Sequence, residues 1–223
     1  MNDTERRQRA DALRNRQSLL AAAADCFAER GLEVSVGEIA QRAGVGRGTL
    51  FRNFPTKEDL IAAIVVERMR EAVEAGRALL ADPDDGAAVF TFIAQMVGRQ
   101  QVDRSLFEAV ADEFLANPEI RAMTGQIVEV LDELLERSRG AGIIRQGVTA
   151  VDVLMMVKGV CAAAASLGEV SPEVIQRHLD LVGAAISAPE HAPALSGPAP
   201  TLADLEQHLP RRRTDAEHDL GAA

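Results

Sequence analysis

A glycine at position 44, set between two short helix-forming stretches, constrains this chain more than any other feature. Ser35 with Glu38 three residues on is a capping box that opens a first helix. Ile39, Ala40 and Ala43 give that helix one narrow apolar face for close packing. Gly44 follows as the residue best able to take the left-handed conformation that ends a helix, and Val45 plugs the angle beyond it. A second helix covers residues 47–53 and exposes Arg47, Thr49, Phe51, Arg52 and Asn53. Pro55 cannot continue it and pulls Phe54 out of helical geometry; Thr56 and Asp59 then cap the next helix. Two short helices at a tight turn, the second rich in polar groups, make a helix-turn-helix, whose second helix fits a DNA major groove.

These residues carry a specific resemblance. The run Ala40-Gln41-Arg42-Ala43-Gly44-Val45, then Gly48-Thr49-Leu50-Phe51-Arg52-Asn53-Phe54-Pro55-Thr56-Lys57, resembles the DNA-binding domain of the tetracycline-repressor (TetR) family. Upstream, Leu19 to Ala23 followed by Phe27-Ala28-Glu29-Arg30-Gly31 resembles that family's first helix and its glycine stop. The match covers about residues 14–65 without a gap. Phe51 stands where the family usually has Tyr and Asn53 where His is common, which removes one hydroxyl able to bond a phosphate. The resemblance implies DNA contacts from Ser35, Arg47, Gly48, Thr49, Phe51, Arg52, Asn53 and Lys57. Arg47 and Thr49, at the exposed start of the second helix, are expected to read bases, while Arg52 and Lys57 hold phosphates.

Charge is the first test of that expectation, because the whole chain carries net −10. Residues 1–57 nonetheless hold ten Lys/Arg against seven Asp/Glu, a net of +3, so the remainder carries −13. A basic head on an acidic body orients toward DNA and discourages sticking elsewhere. An acidic helical interaction module, with the helix-turn-helix as mere scaffold, is the rival reading from another class.

Ala- and Leu-rich segments with charged faces favour helix throughout, and no window alternates as a strand does. No signal-like apolar core and no run of 18 or more apolar residues occurs, so a cytoplasmic protein without a membrane partner is expected. Cys26 and Cys161 lie far apart inside predicted helices and read as buried free thiols. The four histidines, His178, His191, His208 and His218, have no metal-ligand spacing to cysteine. With no phosphate loop and no nucleophile elbow either, no enzyme, metal or cofactor is expected.

The fold class is all-α, with about nine helices. A three-helix DNA-binding domain (1–55) is followed by a helical effector-binding and dimerisation domain (56–188) and a Pro/Ala-rich linker and polar tail (189–223). Helices are expected at about 12–30, 36–43, 47–53, 56–81, 85–101, 103–116, 118–139, 150–167 and 172–187, with residues 1–12 a frayed arm or helix extension. The eighth is apolar almost all round and the ninth strongly apolar, and a helix apolar on every side must be buried on every side. Burial in a second copy is expected through Val157, Cys161, Ala164, Ala165, Ile175, Leu179, Val182 and Ile186, and the family resemblance implies the same four-helix dimer. An effector cavity is expected among Phe90, Ile93, Met96, Val97, Phe107, Phe114, Met123, Gln126, Ile127 and Val130, apolar with a few polar groups. Residues 103–157 loosely resemble the SbtR-like subgroup through Gly140-Ala141-Gly142-Ile143-Ile144-Arg145 and Val151-Asp152-Val153-Leu154. The reading is a homodimeric regulator that binds a palindromic operator and is released by a small molecule. An activator of the same family is the nearer alternative.

Overall fold

The computed structural model describes residues 3–82, 86–109, 117–166 and 172–188, with side chains from Asn15 onward except at 101–102, 104, 108–109, 163–166 and 172–173. Phe114 and the 189–223 tail lie outside the described residues, as do the side chains of Ala164 and Ala165. The described residues form nine helices: α1 (Asp3–Arg30), α2 (Val36–Arg42), α3 (Arg47–Asn53), α4 (Lys57–Leu80), α5 (Ala88–Val102), α6 (Arg104–Ala109), α7 (Pro118–Gly140), α8 (Ala150–Ser166) and α9 (Pro172–Ile186). The first helix starts at Asp3, so the arm expected as frayed or extending is helical from there.

Local chemistry sets most of the ends. Ser35 and Glu38 form the reciprocal capping box of α2, and Thr56 and Asp59 form that of α4. Asn117 Oδ1 accepts from the backbone N–H groups of Glu119 and Ile120 ahead of Pro118. Thr149 and Asp152 pair the same way before α8, with the Thr149 hydroxyl donating to Asp152 Oδ2 at 2.7 Å. Gly31 and Gly44 end α1 and α2 with φ of +70° and +69°, a region that strains any residue with a Cβ.

Helix α4 is the spine. From Leu60 to Val66 every residue is buried, because α1 covers one side and α7 the other. One continuous core runs from the head (Leu19, Ala23, Phe27, Ile39, Leu50, Phe54) through α4 into the body (Val89, Phe92, Val97, Leu131, Leu134, Val153, Val157). At Gly76 the helices approach so closely that an added Cβ would stand 2.4 Å from Val130 Cγ1 and 2.8 Å from the Phe92 ring. The last carbonyls of α4 find their donors in α7. Arg137 donates to the Leu79 carbonyl at 3.4 Å, to the Leu80 carbonyl at 2.5 Å and to that of Asp82. The far end is closed by Arg145 N–H on the Ile186 carbonyl (3.0 Å) and Ala188 N–H on the Ile143 carbonyl (2.8 Å), which pins the end of α9 to the α7–α8 loop.

Candidate DNA interface and the body behind it

Two buried side chains hold α3 in place. Leu50 is 1% and Phe54 2% exposed, and both point into the head's core. Arg47, Gly48, Phe51, Arg52 and Asn53 therefore face solvent together, with Thr49 half-buried between them. Phe51, at 47% exposure, is the large apolar residue among the head's exposed groups.

The polar groups on this face are mostly restrained. Arg52 Nε donates to the Gly48 carbonyl at 3.1 Å and Nη2 to Thr49 Oγ1 at 3.2 Å, while Asn53 Nδ2 donates to the Thr49 carbonyl at 2.8 Å. Ser35 spends its hydroxyl on the α2 cap, donating to Glu38 at 2.8 Å. The Lys57 ammonium donates to the Leu32 carbonyl and lies 5.9 Å from the Phe27 ring centroid, half-buried, so as placed it ties α4 to α1. Arg47, by contrast, lies with its guanidinium against the backbone of Gly37 on α2.

Two ion-pair brackets lock α2 onto α1. Arg42 meets Glu29 at 2.5 and 2.7 Å, and Arg30 meets Glu38 at 2.7 Å. The Arg42 hydrogen bond holds the Glu29 carboxyl below the usual carboxylate range. Hydrogen bonds from Ser35, joined by Arg30, do the same for Glu38. Arg16 of α1 lies 4.9 Å over the Phe54 ring, at the C-terminal cap of α3. Sequence spacing signals neither that contact nor the one at Gly37, since both join residues from different helices through the tertiary fold.

The body differs. Asp103, only 7% exposed, ends α5, and its backbone carbonyl accepts from Leu106 and Phe107 at the start of α6. Its carboxylate reaches Arg68 Nε on α4 at 3.1 Å; Arg68 also meets Glu71 at 3.2 Å. Burial pushes the Asp103 carboxyl up, against the pull of Arg68. One turn and two turns earlier on α5, Arg99 Nη1 and Gln95 Oε1 are buried without a hydrogen-bond partner among the described residues. Of the residues expected to line an effector cavity, Ile93, Val97, Met123, Ile127 and Val130 are buried, and Phe90, Met96, Phe107 and Gln126 are half-buried. Met123 also faces a cleft of about 530 Å³ between head and body, lined by Arg16, Leu20, Val66, Arg70 and Glu119 among others.

The residues expected at a subunit interface divide. Val157, Cys161, Val182 and Ile186 are buried within the single chain, at 2, 6, 9 and 0% exposure, with α8 packed on α5 and α7 and α9 packed on α8 and α5. Ile175 and Leu179 are half-buried against the same core. Among the described side chains of α8 and α9, the apolar ones facing outward are Met155 (47%), Val174 (40%) and Leu181 (56%), with Ala162, Ala184 and Ala185. Among the described residues no group of His, Cys, Asp and Glu is placed to hold a metal ion, and no helix is long and apolar enough to cross a membrane.

A short three-helix head with an exposed polar α3, carried by a helical body, defines a DNA-binding transcriptional regulator. Comparisons make this specific. Residues 19–64 match the family described as bacterial regulatory proteins, tetR family, and residues 84–186 match the SbtR-like transcriptional regulator C-terminal domain. A TetR transcription regulatory protein from Mycobacterium vanbaalenii, of known crystal structure, is 33% identical; the superposition covers 81% of this chain and 99% of that one, at a TM-score of 0.61. An HTH-type transcriptional regulator of Mycobacterium tuberculosis is 29% identical over 134 residues, covering 58% of this chain and 69% of the relative. The HTH-type transcriptional activator FasR of Mycolicibacterium smegmatis is 28% identical over 153 residues, 62% and 68% of the two chains. The chain belongs to the TetR family of transcriptional regulators. This family and these relatives are transcriptional regulators rather than enzymes.

Proposed function

We propose that this protein acts in the cytoplasm as a homodimer, holding a palindromic operator through two copies of α3 and releasing it when a small molecule enters the body. The observation that carries the effector is the pair of polar atoms on α5, Gln95 Oε1 and Arg99 Nη1, that are buried and have no partner among the described residues. A fully buried polar group left unpaired costs about 1–3 kcal/mol, and these two side chains are half-buried, so a ligand that satisfied them would gain part of that. Phe90, Ile93, Met96, Val97, Phe107, Met123, Gln126, Ile127 and Val130 are assigned as the accompanying apolar and polar set on α5, α6 and α7. To release DNA a hundredfold, the ligand must favour the non-binding arrangement by roughly 2.7 kcal/mol.

At the head, Arg47 and Thr49 read base edges, with Gly48 permitting close approach. Arg52, Asn53 and Phe51 would meet sugar and phosphate from where they stand, whereas Ser35 and Lys57 would reach a phosphate only by leaving Glu38 and the Leu32 carbonyl. Two such heads about 34 Å apart would meet successive major grooves on one side of the duplex. The outward apolar residues of α8 and α9 supply the surface that a second copy would cover. Domain boundaries near residues 55 and 188 fit this division, although α4 belongs physically to both halves.

The test is selection of DNA from a random pool by the purified full-length protein, followed by a reporter carrying the selected sequence upstream of its promoter. A palindromic consensus and reduced reporter output are expected. Binding no tighter to the selected DNA than to random duplex would overturn the reading. An activator is the second reading, favoured by the similarity to the activator FasR, and would raise reporter output instead.

A further inference from the structure

Gly37 occupies the first turn of α2, and the space its side chain would fill is already taken. A Cβ built there would lie 2.2 Å from Arg47 Nη2 and 2.7 Å from both Cζ and Nε. These are the far atoms of a flexible side chain rather than backbone, so the guanidinium lies along α2 only because position 37 carries no side chain.

The other cations of the head whose side chains are described are held elsewhere. Arg16 lies on the Phe54 ring, Arg30 on Glu38, Arg42 on Glu29, Arg52 on Gly48 and Thr49, and Lys57 on the Leu32 carbonyl. Glu38, the carboxylate nearest in sequence to Gly37, has one oxygen on Arg30 and the other on Ser35, so it does not compete for Arg47. Arg47 is exposed and, among the described residues, is placed by the Gly37 slot rather than by a hydrogen bond or ion pair.

We infer that Gly37 is a specificity-determining position: its missing side chain leaves a slot that sets the direction from which Arg47 reaches the operator, although Gly37 itself presents no group to a base. The inference rests on Arg47 reading base edges, as proposed above. A bidentate arginine contact depends on the angle and height at which the fork arrives. Filling the slot with one methyl group forces a new approach, and alanine is the better helix former, so α2 keeps its fold.

The experiment is a double-mutant cycle on the full-length protein with the wild-type-selected operator. Wild type, Gly37→Ala, Arg47→Ala and the double variant are compared by fluorescence anisotropy, each with a melting curve and a repeat selection from the random pool. Gly37→Ala is expected to weaken operator binding about tenfold and to change the base preferred at the position that Arg47→Ala relaxes. In the Arg47→Ala background it should add less than about twofold, and its melting temperature should hold or rise. An equal loss with and without Arg47 would overturn the inference, since Gly37 would then act through α2 itself; so would no loss at all. If Arg47→Ala alone leaves affinity and selected sequence unchanged, the base-reading assignment fails at the head, and the Gly37 inference falls with it.

Discussion

The head and the body solve the same problem, burying helices around α4, in opposite ways. In the head the charged side chains are at the surface and nearly all engaged: Arg42 with Glu29, Arg30 with Glu38, Arg52 with its own helix, Lys57 with a carbonyl of the α1–α2 connection. In the body a carboxylate is taken out of water at Asp103, and among the described residues Gln95 Oε1 and Arg99 Nη1 have no hydrogen-bond partner. A fully satisfied polar network rigidifies, whereas a partly satisfied one is poised to accept something more. The head is a template finished before it meets DNA. The body keeps polar atoms in its interior that no described residue pairs.

The largest effect is expected where the two heads are made to act together. Leu181→Arg, combined with Met155→Arg, puts two charges on the outward apolar face of α8 and α9, where each is solvated in a monomer and buried without a counter-ion in a dimer. Each head alone should still fold, but operator affinity should drop by about 10²–10⁴-fold through lost effective concentration. Sedimentation and operator titration check this together. A dimeric variant that binds fully would place the interface on another surface and would separate head from body more completely than proposed here.

Next comes a contrast between two glycines. Gly37→Ala meets only the far end of an exposed arginine side chain, whereas Gly76→Ala meets Val130 and the fully buried Phe92 ring. Overpacking of that kind costs about 1–3 kcal/mol, and the gain in helix propensity of roughly 1 kcal/mol offsets only part of it. Denaturant unfolding of Gly76→Ala should give a net loss of up to about 2 kcal/mol. A stable Gly76→Ala would mean that the body's core yields as readily as the head's surface. Arg137→Met should cost less, about 1 kcal/mol, because the α4 carbonyls it abandons lie close enough to solvent to find water. The same measurement would register it.

Acid should act on the two regions with opposite sign. Glu29 and Glu38 have folded-state pKa values below their ordinary ones, so the unfolded chain binds more protons and their stabilisation is lost as pH falls through the acid range. Asp103 is raised by burial, so the folded chain binds the proton more tightly and its cost to the body is relieved over the range just above the ordinary carboxylate value. Hydrogen exchange at pH 4 and pH 7, corrected for intrinsic rates, should show α1 and α2 losing protection relative to α4 and α7. Uniform loss across both regions would contradict the separation.

Most of the head was legible in the sequence because its determinants are local. The capping boxes at Ser35 and Thr56, the stops at Gly31 and Gly44 and the break at Pro55 each involve residues a few positions apart, and the structure has them all. The body's helices were legible for the same reason, through Asn117-Pro118 and Thr149 with Asp152. The faces of α8 and α9 were not. A helix apolar nearly all round carries no periodicity to say which side meets its own chain, so Val157, Cys161, Val182 and Ile186 were expected on a partner and are buried at home. Contacts such as Arg137 on the end of α4 and Arg68 on Asp103 join residues 35 to 58 apart, and no spacing rule reaches that far.

The smallest expected effect is the sharpest test of the difference between the regions. Gln95→Leu replaces a side chain whose carbonyl oxygen is buried and has no partner among the described residues with an apolar one of similar size. Removing a hydrogen-bonded core amide normally destabilises, but removing an unsatisfied one relieves a desolvation cost, so the ligand-free protein should be unchanged or more stable by up to about 1 kcal/mol. Operator affinity should be untouched, because the head and its α4 packing are intact. If Gln95 is one of the groups a ligand completes, the variant should remain on its operator under conditions that release the wild type, read with the same reporter. A drop in stability near 2 kcal/mol would show instead that Gln95 already has a partner in the folded body. The interior would then be as finished as the head, and the effector site would have to be sought elsewhere, with the cleft of about 530 Å³ between α1, α4 and α7 the first place to look.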